Sequence, residues 1–329
     1  MSLAADALQP FFVPGLINVE GRPDPTPLAD LVGKQRKIGF DLDFDNAAQA
    51  VLADFRDTKP VLNSYAYDCS RLAASAFQSM RSLPDLIASS EEVAWGLIRS
   101  YYASFYAGHS LMRIFGTSCS HFDRNHVAFI INLGLAYGKR PTFQFNSGLY
   151  QCAAFNASTA INMKAIQLNN GGTHETFWKA FSELMKDLAA RVLHGPLSQI
   201  EAQSVYVKLD SFQKSITSGG LTSGSWLSAV RNEVQYRNGY GAWLPVDIKK
   251  HHRETLSRLG AQWKRDPMEI DVGTGAGGQI GEFVVACAFV VALCRTLLTR
   301  MRDRSPKPAR SFASLGPLSV LRLSEQLAA

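Results

Sequence analysis

The stretch RSYYASFYAGHSLMRIFG, residues 99–116, lies in a longer apolar pattern that spans residues 90–115. The apolar residues of this pattern recur three to four positions apart, which is the spacing of one face of an α-helix. The face consists of Val93, Leu97, Tyr101, Phe105 and Met112, with Ile98, Tyr102 and Leu111 beside it. So wide an apolar stripe predicts a helix that is buried against several neighbouring elements.

Other segments of the chain repeat this helical spacing. It predicts helices over residues 62–80, 174–193, 226–238 and 279–302. Pro84 ends the first of them, and Gly195 with Pro196 ends the second. The fold class predicted from these segments is all-α, with the helices packed in one bundle.

The most apolar stretch covers residues 283–294 and is followed at once by Arg295. A membrane span needs about 20 such residues, so this stretch predicts a buried helix and no membrane association. The first residues lack a basic segment followed by a long apolar run, so no signal peptide is expected. We therefore expect a cytoplasmic protein.

The composition indicates a globular chain with a substantial core, because 46% of its 329 residues are hydrophobic and 19% are charged. Its five cysteines are widely spaced and form no zinc-binding pair, so we expect reduced, buried thiols. The seven histidines show no metal-ligand spacing either. The sequence predicts no metal site and no cofactor.

Three regions are predicted along the chain. Residues 1–60 are rich in proline and turn formers and predict an irregular arm with one short helix. Residues 61–304 predict the helical domain, with an insertion at about 121–172 that we expect to hold irregular structure, short helices or a small strand pair. Residues 305–329 predict a basic C-terminal tail.

An acidic run in the arm precedes the predicted short helix. Asp41, Asp43 and Asp45 alternate along the chain, and residues 47–55 form the body of that helix. Carboxylates favour a helix start, because they complement its positive dipole end. Binding of a divalent cation, or an Asp-x-Asp pair of the nucleotidyltransferase type, is the alternative.

A glycine-rich segment, VGTGAGG, follows the strand-like residues MEIDV. Gly273, Gly275 and Gly278 match the GxGxxG pattern of dinucleotide-binding and methyltransferase loops. Only about 50 residues follow, whereas a doubly wound sheet needs several further βα units. We therefore interpret the segment as a loop that leads into the last helix, and keep an S-adenosylmethionine-dependent methyltransferase as the weaker alternative.

A polar cluster, SAVRNEVQYRNGYGAW, covers residues 228–243. On a helix, Arg231, Gln235 and Asn238 share one face, and Asn232 and Tyr236 form the adjacent stripe. Arginine can donate two parallel hydrogen bonds to a phosphate, so the cluster suits phosphate binding. A structural network that satisfies loop carbonyls is the alternative interpretation.

Two of these motifs resemble those of the HEPN family of RNA-associated helical domains. The Tyr-Tyr-Ala-x-Phe pattern at Tyr101 resembles the second helix of that family, and Arg231-Asn232 resembles its Arg-polar signature. The order of the elements agrees as well, and together they cover about half of the chain. The family has a histidine about five positions after the arginine, where this chain has Tyr236.

The resemblance implies a HEPN-like helical bundle that binds RNA or cleaves it without a metal. Arg231, Asn232 and Tyr236 would then be the catalytic residues. It also implies a homodimer, a protein partner or antitoxin, and a bacterial toxin or phage-defence setting. The same resemblance allows a non-catalytic interaction or scaffold module, since Tyr236 is a poor base at neutral pH.

The net charge of +6 is concentrated in residues 249–310, which hold twelve Lys or Arg residues against six Asp or Glu residues. Clustered positive charge attracts polyanions, so we predict RNA-backbone contacts here. The predicted residues are Lys249, Lys250 and Arg253, together with Arg237 from the preceding polar cluster. The alternative is a solvated basic surface, with KKHHR as an exposed turn.

Overall fold

The computed structural model describes residues 2–34, 39–88, 93–157, 160–168, 172–221, 223–244 and 249–328. The α-helices in these residues are α1 (Leu3–Leu8), α2 (Leu28–Gly33), α3 (Lys59–Arg81), α4 (Leu83–Ala88), α5 (Val93–Ile114), α6 (Arg124–Ala136), α7 (Thr173–Val192), α8 (Gln199–Ile216), α9 (Trp226–Arg237), α10 (Lys250–Gly260), α11 (Gly278–Arg304), α12 (Phe312–Leu315) and α13 (Pro317–Ala328). The strands are β1 (Phe40–Asp45), β2 (Ala50–Phe55), β3 (Thr117–Phe122), β4 (Gly148–Ala157) and β5 (Ala160–Gln167).

The chain is mainly helical but not all-α, so the predicted fold class is only partly right. In the described residues, five strands form one antiparallel sheet in the order β1-β2-β5-β4-β3. Two strands come from the predicted arm and the others from residues 117–167, so distant segments meet in one sheet. Long-range pairing of this kind is not encoded by helical periodicity.

The helix predicted over residues 47–55 is wrong, because this segment forms a turn and strand β2. Strand β1 alternates buried Phe40, Leu42 and Phe44 with aspartates, a period of two that fits a strand with one buried face. Asp45 accepts a hydrogen bond from the Ala48 N–H at 2.9 Å and so supports the turn. The alternation was present in the sequence and was misread as the start of a helix.

The acidic run of β1 has a basic neighbour at each position. Asp41 forms an ion pair with Arg56 at 3.1 Å. Asp43 pairs with Lys139, and Asp45 pairs with Lys164, each at 3.2 Å. Among the described residues there is no cluster of three potential metal ligands. The carboxylates therefore belong to ion pairs at the surface of the sheet.

The insertion predicted at about 121–172 is more regular than expected. The strand pair proposed for it is confirmed as β4 and β5, but the pair belongs to the larger sheet. Between β3 and β4 lies α6, whose first turn is closed by a capping box between Asp123 and His126. Helices were one of the alternatives expected for this insertion, and α6 lies within its bounds.

The helices predicted over 90–115, 174–193, 226–238 and 279–302 are confirmed as α5, α7, α9 and α11, with residues 89–92 outside the described range. The helix predicted over 62–80 is confirmed as α3, which packs along α5. Helix α11 is long and apolar enough to cross a membrane, but 83% of its apolar window is buried inside the protein. It is a core helix of the bundle, as its composition predicted.

Helices α8 and α10 are among those that the sequence analysis missed. The KKHHR segment is part of α10 and not an exposed turn, because Leu256 and Leu259 bury one face of it. Helix α10 packs on α4 and α11.

The described residues of the predicted irregular arm (1–60) and basic tail (305–329) form regular elements that pack on the rest of the fold, contrary to those predictions. Helix α1 packs against α8 and α11, and Asp6 of α1 forms an ion pair with Arg300 of α11. At the other end, α13 packs against α3. An isolated β-bridge between Glu20 and Ser311 joins the two terminal segments.

Candidate functional site

Arg231 lies on α9 with only 6% of its surface exposed. Its guanidinium carbon is 5.0 Å from the ring centroid of Tyr101 and 5.9 Å from that of Tyr102, both on α5. Its Nη1 donates a hydrogen bond to Gln235 Oε1 at 3.2 Å, which confirms that these two residues share a helix face. Its Nε is buried without a hydrogen-bond partner among the described residues.

The positive charge of Arg231 has no acidic partner among the described residues. The guanidinium instead contacts the rings of Tyr101 and Tyr102 and the neutral side-chain oxygen of Gln235. Burial of an unpaired charge is unfavourable, so buried arginines normally have a carboxylate beside them. The site therefore has the electrostatics of an anion-binding site.

The Tyr101 hydroxyl, on the residue whose ring Arg231 covers, connects side chains of neighbouring helices by hydrogen bonds. Its hydroxyl oxygen accepts from Trp178 Nε1 at 3.0 Å and lies 3.0 Å from His174 Nδ1. Burial raises the pKa of Tyr101, while bonds from Trp178 and Ser228 and the charge of Arg231 act against this rise. The phenol therefore stays protonated and joins α5, α7 and α9.

His174 is in the first turn of α7 and packs against Phe105, with ring centroids 4.5 Å apart. Burial lowers the pKa of His174 to about 4, and the charge of Arg231 adds to this lowering. The imidazole is therefore neutral at physiological pH and lies one hydrogen bond from the residue on which Arg231 stacks. Sequence reasoning missed His174, because no local motif marks it.

The three residues predicted as catalytic do not converge. Asn232 and Tyr236 are exposed, Tyr236 by 71%, and the structure gives neither of them a contact with Arg231. Asn238 does not share the face of Arg231, because it ends α9 in a left-handed conformation with φ of 52°. What lies around Arg231 comes instead from α5 and α7.

Aromatic residues beside this site, one exposed and three partly buried, lie on α5 and in the segment after α9. Trp95, which is 54% exposed, makes an edge contact with Trp243 at 5.3 Å between ring centroids. Trp243 is fixed to α9 by a 2.6 Å hydrogen bond from its Nε1 to the Val234 carbonyl. Tyr102 and Tyr106 extend the same face of α5, with ring centroids 6.2 Å apart. We call Trp95, Tyr102, Tyr106 and Trp243 the aromatic face.

The four predicted backbone-binding residues lie outside this centre. Arg237 is exposed and pairs with Glu233 at 2.6 Å, one turn before it on α9. Lys249 and Lys250 are exposed at the start of α10, and Arg253 is partly buried there. Lys249 also lines a cavity of about 410 Å³, together with His251, His252 and the first turn of α11.

The glycine-rich segment leads into α11, as predicted, with Gly277 at the N-cap in a left-handed conformation. The backbone N–H of Gly275 donates to the carboxylate of Glu282. The strand predicted for MEIDV is absent, since Pro267–Glu269 forms a short 3₁₀ helix. The loop therefore does not follow a strand, as a dinucleotide-binding loop must.

Comparison of this chain with family models, with curated proteins and with solved structures found no match.

Proposed function

We propose that this protein binds single-stranded RNA, with the Arg231 site as its phosphate-binding centre. The observation that carries the proposal is the buried guanidinium of Arg231, whose charge no described carboxylate neutralises and whose Nε lacks a partner. A phosphate would supply both the missing charge and the missing acceptor. A charge-assisted hydrogen bond of this kind contributes about 1.5–3 kcal/mol.

The aromatic face favours a nucleic acid over a simple anion. Trp95 exposes a large ring that contacts the partly buried Trp243, and the Arg231 guanidinium lies over the ring of Tyr102. Unpaired bases stack on such rings, each stack contributing about 1–3 kcal/mol. Because bases in a duplex are already stacked, this arrangement selects single strands.

The exposed basic residues fit the same ligand. Lys249 and Lys250 can contact backbone phosphates without any sequence preference. Arg237 would have to leave Glu233 to do so. Asn232 and Tyr236 lie on the solvent side of α9 and are positioned to contact the strand rather than the phosphate held by Arg231.

Metal-independent cleavage is the second proposal, and the position of His174 favours it. The 2′-oxygen of a bound nucleotide would attack the adjacent phosphorus while the imidazole takes the 2′-hydroxyl proton. The bond from phosphorus to the 5′-oxygen then breaks, the proton passes to that oxygen, and a 2′,3′-cyclic phosphate remains. Arg231 would stabilise the charge on the pentacoordinate phosphorus.

The low pKa of His174 makes it a weak base in the free protein. However, one cause of the lowered pKa is the charge of Arg231, which a bound phosphate would neutralise. Substrate binding should therefore raise the pKa of His174 and make it a better base. This coupling is the reason for preferring His174 to Tyr236 as the proton acceptor.

The HEPN resemblance adds proposals on the biological setting. A homodimer, a protein partner or antitoxin, a cytoplasmic location and a toxin or phage-defence role all rest on that resemblance. The mass of the purified protein in solution tests the homodimer. The growth of bacteria after its expression is induced tests the toxin role.

The binding proposal is tested by fluorescence anisotropy with a short labelled single-stranded RNA, in EDTA. We expect the Arg231→Met variant to bind about tenfold to a hundredfold more weakly, which corresponds to the loss of one charge-assisted contact. Arg237→Gln is the matched control, since it removes an exposed arginine of the same helix. Equal affinities of the wild type and Arg231→Met would overturn the proposal.

Wild-type protein that binds no RNA would also overturn it and would favour the non-catalytic interaction module. Cleavage is read from the same RNA on a denaturing gel. His174→Asn should abolish the cyclic-phosphate product and leave binding within about twofold. Cleavage that survives this change would exclude His174 as the base.

A further inference from the structure

A second polar site lies at the other end of the exposed side of α5. It is a cavity of about 320 Å³ enclosed by α2, α3, α5, β3 and α6. Small-molecule sites begin at about this size. The polar groups that converge on it include Asp68, Arg71, His109, Arg113 and His121. None of these polar groups belongs to the Arg231 site, although Tyr106 of the aromatic face also lines the cavity.

Two arginines in this cavity share a single carboxylate. Asp68 is paired with Arg113 at 3.2 Å and with Arg71 at 2.7 Å. The side chains of Arg113 and Asp68 are 4% and 2% exposed, so this part of the network is shielded from solvent. Burial acts to raise the pKa of Asp68, but the charges of Arg113 and Arg71 hold it below its usual range. The trio therefore carries one unmatched positive charge.

The other acidic residue of the cavity does not neutralise this charge. Asp30 pairs with Lys34 at 2.9 Å and accepts a hydrogen bond from His126 Nε2 at 2.8 Å. The Nδ1 atom of His126 lies 3.0 Å from the Asp123 backbone nitrogen, so this ring bridges α2 and the start of α6. Asp30 and Lys34 cancel each other, and the excess positive charge stays at Arg71 and Arg113.

Arg113 also retains an unused donor. Its Nε bonds Asp68, and its Nη1 bonds the His109 carbonyl at 2.9 Å. Its Nη2 has no hydrogen-bond partner among the described residues. Burial, together with the charges of Arg113 and Arg71, lowers the pKa of His109 well below its usual range, so this neighbour adds no charge. The cavity thus offers a donor and a surplus cation to a ligand.

Apolar side chains form the rest of the wall. Phe105 and Tyr106 of α5, Leu72 of α3 and Pro27 line the cavity. A surface of this kind favours a flat, apolar body. A ligand that fills the cavity would therefore combine one anionic group with a ring.

We propose that this cavity binds a small molecule that has one carboxylate or phosphate group on an aromatic body. The anionic group bonds Arg113 and Arg71, and the ring lies against Phe105 and Tyr106. The surplus positive charge and the free donor select the anion, while the apolar wall selects the ring. Ala29 borders the cavity and offers a position at which it can be filled.

Isothermal titration with four probes of similar size tests the proposal: benzoate, phenyl phosphate, benzyl alcohol and benzylamine. We expect one or both anions to bind, and benzyl alcohol and benzylamine to bind at least about tenfold more weakly. The stronger of the two anions identifies the ligand as a carboxylate or a phosphate ester. Equal binding of benzyl alcohol, or no binding of either anion, would overturn the proposal.

The variants locate the site without removing buried Arg113. Arg71→Gln changes a side chain that is 46% exposed, so the fold should survive, and it should weaken anion binding about tenfold. Ala29→Phe should abolish binding by filling the cavity. Arg258→Gln, an exposed arginine on α10, is the matched control and should bind as the wild type does. Anion binding that is unchanged in both Arg71→Gln and Ala29→Phe, with thermal melting confirming folded protein, would place the ligand elsewhere and overturn the proposal.

Discussion

The Nδ1 atom of His174 lies 3.0 Å from the hydroxyl oxygen of Tyr101, on whose ring Arg231 stacks. This relationship joins three helices that are far apart in sequence and places a neutral imidazole next to an unpaired guanidinium.

Arg231→Met should leave the free energy of unfolding within about 1 kcal/mol of the wild type. The change removes a buried unpaired charge and keeps an apolar side chain of similar length, which offsets the lost stacking on Tyr101. Urea denaturation measures this. Arg113→Met is the matched control, because it leaves the buried Asp68 with only the half-exposed Arg71 as a partner and should cost about 3 kcal/mol.

If Arg231→Met destabilises the protein as much as Arg113→Met does, Arg231 is a structural residue. The polar cluster of α9 would then be the structural network that its sequence also allowed, and the phosphate-binding role would lose its support.

The stability of the wild type should fall as the pH is lowered from 6.5 towards 4. The unfolded imidazole of His174 takes up a proton near pH 6.5, whereas the folded one does so only near pH 4. Between these values the unfolded state binds more protons, so stability rises with pH in this window. Urea denaturation at several pH values measures this, and the free energy of unfolding should change less steeply with pH in His174→Asn than in the wild type.

His109 also has a lowered pKa and remains in that variant, so part of the slope should persist. If the free energy of unfolding depends equally on pH in the wild type and in His174→Asn between pH 5 and 6.5, the pKa of folded His174 is not lowered.

Tyr101→Phe should destabilise the protein by about 1–3 kcal/mol. It removes the oxygen that accepts from the buried Trp178 Nε1 and leaves that donor unsatisfied. Thermal melting provides the measurement. Tyr236→Phe removes the same hydroxyl from an exposed ring and should leave the melting temperature unchanged.

RNA cleavage by Tyr236→Phe then tests the residue that replaces the family's histidine. We expect wild-type rates, because Tyr236 is 71% exposed on α9; such rates would show that its hydroxyl has no catalytic role. A large loss of cleavage with normal binding would instead favour the alignment based on the HEPN motif.

S-adenosylmethionine and dinucleotides should show no saturable binding, because the loop at Gly273, Gly275 and Gly278 does not follow a strand and Glu282 occupies the Gly275 N–H. Equilibrium dialysis with labelled S-adenosylmethionine measures this. Gly275 has a φ of +72°, so Gly275→Val should lower stability without altering any ligand binding. Binding that saturates in the wild type and disappears in Gly275→Val would restore the methyltransferase alternative.

The sequence alone determined the helices whose apolar residues recur with the helical period over many turns. Helices α3, α5, α7, α9 and α11 are of this kind. Shorter or more polar elements were missed, because their patterns are ambiguous until neighbours cover them. The α10 helix buries little more than Leu256 and Leu259, and β1 shows its alternation over only six residues.

The tertiary structure decided the sheet and the candidate site. Strand β2 pairs with β5 more than a hundred residues away, and no local preference specifies such a partner. Arg231 could be recognised from its own helix, whereas His174 and Tyr101 meet it only because α5, α7 and α9 pack together. Sequence spacing defines neighbours along one helix, but the groups that surround a buried charge are brought together by packing between helices.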